Sequence, residues 1–141
     1  MIRNIARALC AASLVIAPIA LSSPAQAATN CSVNGIPVTG SNVTGTPGSD
    51  FIQCSTVNAG DTVNGLGGND FIQTGNVAGT VRGGSGSDYI QTNSVSPTGQ
   101  VLGESESDFI RTGFNLGIVN GGTGLDVCRV AGGNPPVNCE A

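Results

Sequence analysis

Apolar side chains recur along the chain at fixed places. Val43, Val63, Val81, Val101 and Val119 each stand two residues before a glycine-rich run, and Ile52, Ile72, Ile90, Ile110 and Cys128 follow it. Around these runs apolar and polar residues alternate with period two, which predicts β-strands. A further apolar place in each unit falls to Val57, Val77, Val95 and then Phe114 or Leu116. Each run ends in an aspartate, at Asp50, Asp70, Asp88, Asp108 and Asp126, so successive units are 20, 18, 20 and 18 residues long. The longer units gain their two residues in 58–62 and 96–100, where the spacing predicts a loop.

A unit therefore reads as a short strand, a glycine-rich turn, a second short strand and a looser turn. One such unit cannot bury its apolar side, whereas stacked units form ladders of valine on one wall and isoleucine on the other. The predicted fold is all-β, a parallel β-roll or β-solenoid of about five 18–20-residue coils over residues 43–130, on the order of 24 Å long at the interstrand spacing. Residues 28–42 and 131–141 are left as terminal caps.

The first 27 residues have the pattern of a secretory signal. Arg3 and Arg7 precede an apolar run from Ala8 to Leu21, and Ala25-Gln26-Ala27 is a small-x-small cleavage site. The run is shorter than the roughly 20 residues a membrane span needs, so no transmembrane anchor is expected. Beyond Ala27 stand three arginines (Arg82, Arg111, Arg129) against nine acidic residues, with no lysine or histidine. Nucleic acid is excluded as a partner, since binding it requires clustered basic side chains.

Four cysteines remain after the leader and allow three pairings. They lie in or beside the first and last coils. The favoured pairing, Cys31 with Cys54 and Cys128 with Cys139, would tie each terminal segment over an open coil end. No C-x-x-C pair or histidine supports a zinc or redox site.

The run Gly83-Gly84-Ser85-Gly86-Ser87-Asp88-Tyr89-Ile90-Gln91 fits the nonapeptide G-G-x-G-x-D-x-U-x at every specified place. In this the chain resembles the hemolysin-type (RTX) calcium-binding repeat family, whose β-rolls hold Ca²⁺ between successive turns. The resemblance covers residues 43–130, with one nonapeptide per coil where the family commonly has two. It implies one row of calcium sites, at most four, between neighbouring coils. The implied ligands are Asp50, Asp70, Asp88, Asp108 and Asp126 with backbone or hydroxyl oxygens at Gly65, Gly83, Ser85, Gly103, Gly121 and Thr123.

Physical chemistry runs the same way. Glycines at the first and fourth places are expected to adopt left-handed conformations that turn carbonyls toward a common point, and aspartate adds a charged oxygen for a hard cation. Carboxylates stacked about 5 Å apart repel by roughly 1 kcal/mol in water and ~3 kcal/mol at an effective dielectric of 20, which a cation would relieve. The alternative is that the aspartates only close Asx-turns. In the fourth turn Glu104 and Glu106 replace two glycines, and there the left-handed geometry is least secure.

The residue after each aspartate should point outward, which makes Phe51, Phe71, Tyr89 and Phe109 an exposed aromatic ladder and a candidate surface for an extracellular protein or glycan. With no histidine or lysine and its carboxylates on short turns, the chain is not expected to be an enzyme. The sequence reads as a secreted calcium-binding structural or interaction module, with an adhesive or glycan-binding module as the alternative.

Overall fold

The computed structural model describes residues 27–140. The predicted leader, apart from Ala27, lies outside the described residues, as does Ala141. Twelve strands and no helix are present among the described residues: β1 (Thr29–Val33), β2 (Ile36–Gly40), β3 (Asn42–Thr44), β4 (Phe51–Val57), β5 (Thr62–Gly67), β6 (Phe71–Val77), β7 (Thr80–Ser85), β8 (Tyr89–Val95), β9 (Gln100–Ser105), β10 (Phe109–Asn115), β11 (Ile118–Thr123) and β12 (Val127–Gly133).

Two sheets form the walls of a solenoid of five coils. Sheet A runs β12-β10-β8-β6-β4-β1-β2, and sheet B runs β11-β9-β7-β5-β3. Each coil gives one strand to each wall, and neighbouring coils pair in parallel with like residues in register, as in Ile52↔Ile72, Ile72↔Ile90 and Ile90↔Ile110. The loops after β4 and β8 are the longer ones, at 58–61 and 96–99, where the two extra residues were expected.

The core is thin. Val43, Val63, Val81, Val101 and Val119 from sheet B face Ile52, Ile72, Ile90 and Ile110 from sheet A, all fully buried or nearly so. Beside the isoleucines runs a second inward column of Cys54, Thr74, Thr92 and Thr112, in register from coil to coil. The third apolar place is filled by Val57, Val77 and Val95, but in the fourth coil neither Phe114 nor Leu116 takes it. Asn115 pairs with Val95 and is fully buried, while Phe114 and Leu116 are exposed. The asparagine survives there because its amide is satisfied, donating to the Asn134 carbonyl at 3.0 Å and accepting from the Gly117 N–H at 3.0 Å.

The N-terminal cap is an antiparallel hairpin, β1–β2, whose first strand pairs antiparallel with β4. Its tip is Asn34-Gly35, both at positive φ (52° and 80°), the pairing that a two-residue hairpin turn favours. Cys31–Cys54 joins this hairpin to the first coil, and Cys128–Cys139 joins the tail to the last. Both are the pairings favoured from the sequence.

Candidate functional site

The five aspartates form one column along the edge where sheet B turns into sheet A, and all are buried (0–4% exposed). From Asp70 onward each Oδ1 accepts the backbone N–H of the aspartate one coil earlier. Asp50 donates to Asp70, Asp70 to Asp88 and Asp88 to Asp108 at 2.8 Å, and Asp108 donates to Asp126 at 2.9 Å. The ends of this chain of bonds are closed by residues that the sequence reading did not single out. Asn34 donates its side-chain amide to Asp50 Oδ1 at 2.6 Å, and Glu140 Oε2 accepts the Asp126 N–H at 2.5 Å. The Asn-Gly dipeptide was the one sequence signal for the first; nothing local marks the second.

The other carboxylate oxygen differs along the column. Asp50 Oδ2 accepts the Thr46 N–H at 2.6 Å and its hydroxyl at 3.0 Å. Oδ2 of Asp70, Asp88, Asp108 and Asp126 is buried without a hydrogen-bond partner. Each lies close to the first glycine of its own turn, as does a backbone carbonyl of the following coil or, for Asp126, of the tail. A Cβ placed on Gly65, Gly83, Gly103 or Gly121 would overlap both Oδ2 of the aspartate five residues on and the carbonyl oxygen of, respectively, Gly83, Gly103, Gly121 or Asn138.

This corrects the role assigned to the first glycine. None of the five first-place glycines has positive φ; they are glycines because aspartate and carbonyl leave no room for a side chain. Positive φ falls at the second and fourth places, as in Gly84 (117°) and Gly86 (113°). Glu104 (84°) and Glu106 (77°) hold the same conformation as those glycines, so the fourth turn keeps its shape at a backbone cost. Glu104 also pairs with Arg82 of the coil before.

Burial raises the Asp88 carboxyl to about 7; the Asp70 N–H opposes this, while the carboxylates of Asp108, Asp70 and Glu106 add to it. Asp108 is raised to about 6 by burial, against the Asp88 N–H and with help from Asp126 and Glu106. Asp70 is raised by burial and by the Asp50 charge, against the Asp50 N–H. Asp50 goes the other way: burial raises it, but the Thr46 N–H, the Asn34 amide and the Thr46 hydroxyl together outweigh burial.

Of the other sequence candidates, Gly65, Gly83, Gly103 and Gly121 lie in the column. Ser85 and Thr123 are exposed, and their hydroxyls reach the Leu66 and Glu104 carbonyls at 3.5 and 3.3 Å, away from the aspartates. Asp61, a sixth buried carboxylate that the sequence reading passed over, accepts the Thr29 N–H (3.1 Å) and hydroxyl (2.7 Å) and anchors the N-terminal strand.

The aromatic ladder is present. Phe51, Phe71, Tyr89 and Phe109 stack with centroids 5.2, 5.0 and 5.1 Å apart and ring planes within 12°, and Arg129 covers the far face of Phe109 at 5.5 Å. Only Phe51 is well exposed; the others are half-buried by their neighbours. The four rings line a shallow groove of about 670 Å³ together with Ser49, Asn69, Ser87 and Ser107.

Fold and column together define a β-solenoid repeat protein with an internal carboxylate ladder. No family model matches the chain, and neither curated proteins nor solved structures give a match. Among the described residues no helix is long and apolar enough to cross a membrane.

Proposed function

We propose that the protein is an extracellular structural module whose stacked turns take up Ca²⁺. The observation that carries this is the row of four buried, unpartnered carboxylate oxygens, each beside a backbone carbonyl of the next coil. Two acceptors close to the same glycine in a low-dielectric interior repel, and an oxygen-seeking cation turns that repulsion into binding. Among the described residues no three acidic, histidine or cysteine side chains form a compact metal cluster. The ligands would be Asp70, Asp88, Asp108 and Asp126 with backbone carbonyls such as those of Gly83, Gly103 and Gly121. The ion would supply positive charge that ties one coil to the next. Two disulfides fit an oxidising, extracellular setting.

The stacked rings favour a structural role over a glycan platform, because a sugar needs a ring face and the ladder's inner faces are turned to one another. Calorimetric titration of the purified protein with Ca²⁺ tests the proposal. Heat of binding and a melting temperature that rises with Ca²⁺ but little with Mg²⁺ are expected. Identical melting in EDTA and in excess Ca²⁺ would leave the ladder as a proton-holding structural column.

A further inference from the structure

We infer that the C-terminal tail closes an end of the solenoid that otherwise fits the N-terminal hairpin of a second copy of this chain. Sheet A ends at β2 on one side and β12 on the other. β2 is antiparallel to β1, which is antiparallel to β4, so β2 runs in the same direction as β12 and the strands between. The two inward columns of the sheet also end on these strands. One passes from Val38 through Cys31, Cys54, Thr74, Thr92 and Thr112 to Val130; the isoleucine column begins at Ile36 and ends at Cys128.

The terminal members are the ones left uncovered. Val38, Cys128 and Val130 pack against the core but are only partly buried, and Ile36 is 66% exposed. A parallel pairing of β12 with β2 of a second copy places Cys128 over Ile36, Val130 over Val38 and Gly132 over Gly40, so both columns continue in one register. The backbone agrees. In a two-residue hairpin Val33 and Ile36 bond each other, which turns the groups of Pro37 and Thr39 outward. Val130 takes a carbonyl from Pro37 and an N–H from Thr39, while the Cys128 carbonyl, which faces the donorless nitrogen of Pro37, gains no bond in this ladder.

The tail competes for the same end. The Glu140 N–H donates to the Asp126 carbonyl at 2.7 Å, the bond that the residue after aspartate makes from the second coil on (2.8 Å for Phe71 to Asp50). Val137 donates to Val119 at 2.9 Å and accepts from Gly121 at 3.0 Å, adding one bridge to sheet B. Cys128–Cys139 holds this stand-in for a sixth coil in place. Stacking joins unlike ends, so released copies extend into an open array and not a closed dimer.

The reading does not depend on calcium and is tested in EDTA and in Ca²⁺ alike. Sedimentation equilibrium compares the full-length protein with a full-length variant whose tail is freed by Cys128→Ser, Cys139→Ser, Val137→Pro and Glu140→Ala. Circular dichroism and the intact Cys31–Cys54 link check its fold. The unmodified protein should keep the mass of one chain, the freed variant should gain mass with concentration, and adding Thr39→Pro should return it to one chain. A freed variant that stays a single chain, assembly unchanged by Thr39→Pro, or equal assembly by the unmodified protein would overturn the inference.

Discussion

At Asp88 the two carboxylate oxygens have opposite fates: Oδ1 accepts the Asp70 N–H at 2.8 Å, and Oδ2 is buried without a hydrogen-bond partner. Asp88→Asn keeps the acceptor and puts an N–H₂ group where the unpartnered Oδ2 lies against the Gly103 carbonyl. In EDTA at pH 8 this variant should be more stable than the parent by roughly 1–3 kcal/mol, the usual cost of a buried unsatisfied group. Urea denaturation reads the difference, and a destabilised variant would show that the carboxylate is already satisfied. The same ladder sets the pH response. Asp88 and Asp108 titrate higher in the folded chain (about 7 and 6) than the ordinary value of 3.8, so the folded state holds protons that the unfolded state releases. Their contribution is fully present below about pH 4 and is lost as pH rises to about 7. Asp50, shifted down, contributes in the opposite sense, its share being lost only as pH falls below 3.8. Melting in EDTA should therefore decline from pH 4.5 to 7.5, and Ca²⁺ should flatten or reverse that slope.

At the scale of a turn, conformation is inherited from the stack. Glu104 adopts the positive φ of Gly84 and Gly122, with which it pairs in parallel on either side; Leu66 does so opposite Gly84, and Glu106 at the place that Gly86 and Gly124 hold in the coils on either side. Glu106→Gly removes that strain and also a charge that pushes Asp88 and Asp108 upward. It should stabilise the metal-free protein by about 1 kcal/mol or more, measurable by thermal melting. The strands are held differently. Ile90 is fully buried between Ile72 and Ile110, and Ile90→Ala should cost about 2–5 kcal/mol, with little change expected from Gln91→Ala on the outer face.

For the whole molecule, stability is a sum over interfaces between coils. If ions lie between neighbouring coils, Asp88 serves two of them and Asp126 serves the last. Bound Ca²⁺ per chain should then fall by two in Asp88→Asn and by one in Asp126→Asn, with the larger loss of cooperativity for the central change. Equal losses would mean that the ions are not shared. The end residues Asn34 and Glu140 close the ladder, so their removal should loosen the termini before the middle, visible as early amide exchange in the first and last coils.

The sequence alone determined the coil count, the paired valine and isoleucine walls, the position of the longer loops and the aspartate column, because a repeat of fixed length admits one register when a thin core must be continuous. It also favoured the disulfide pairing, since the cysteines fall only at the two ends, but the fold chose it among three. What it could not carry were contacts between residues distant in the chain or at unmatched places. Asn115 replaces the expected Phe114 or Leu116 in the core because the tail offers its amide a carbonyl partner. The first glycine of each turn is fixed by an aspartate and a carbonyl of the next coil, not by its own backbone. Asn34 and Glu140 have no repeat to mark them; only folding brings them to the ends of the ladder, where an unpaired donor and acceptor require them.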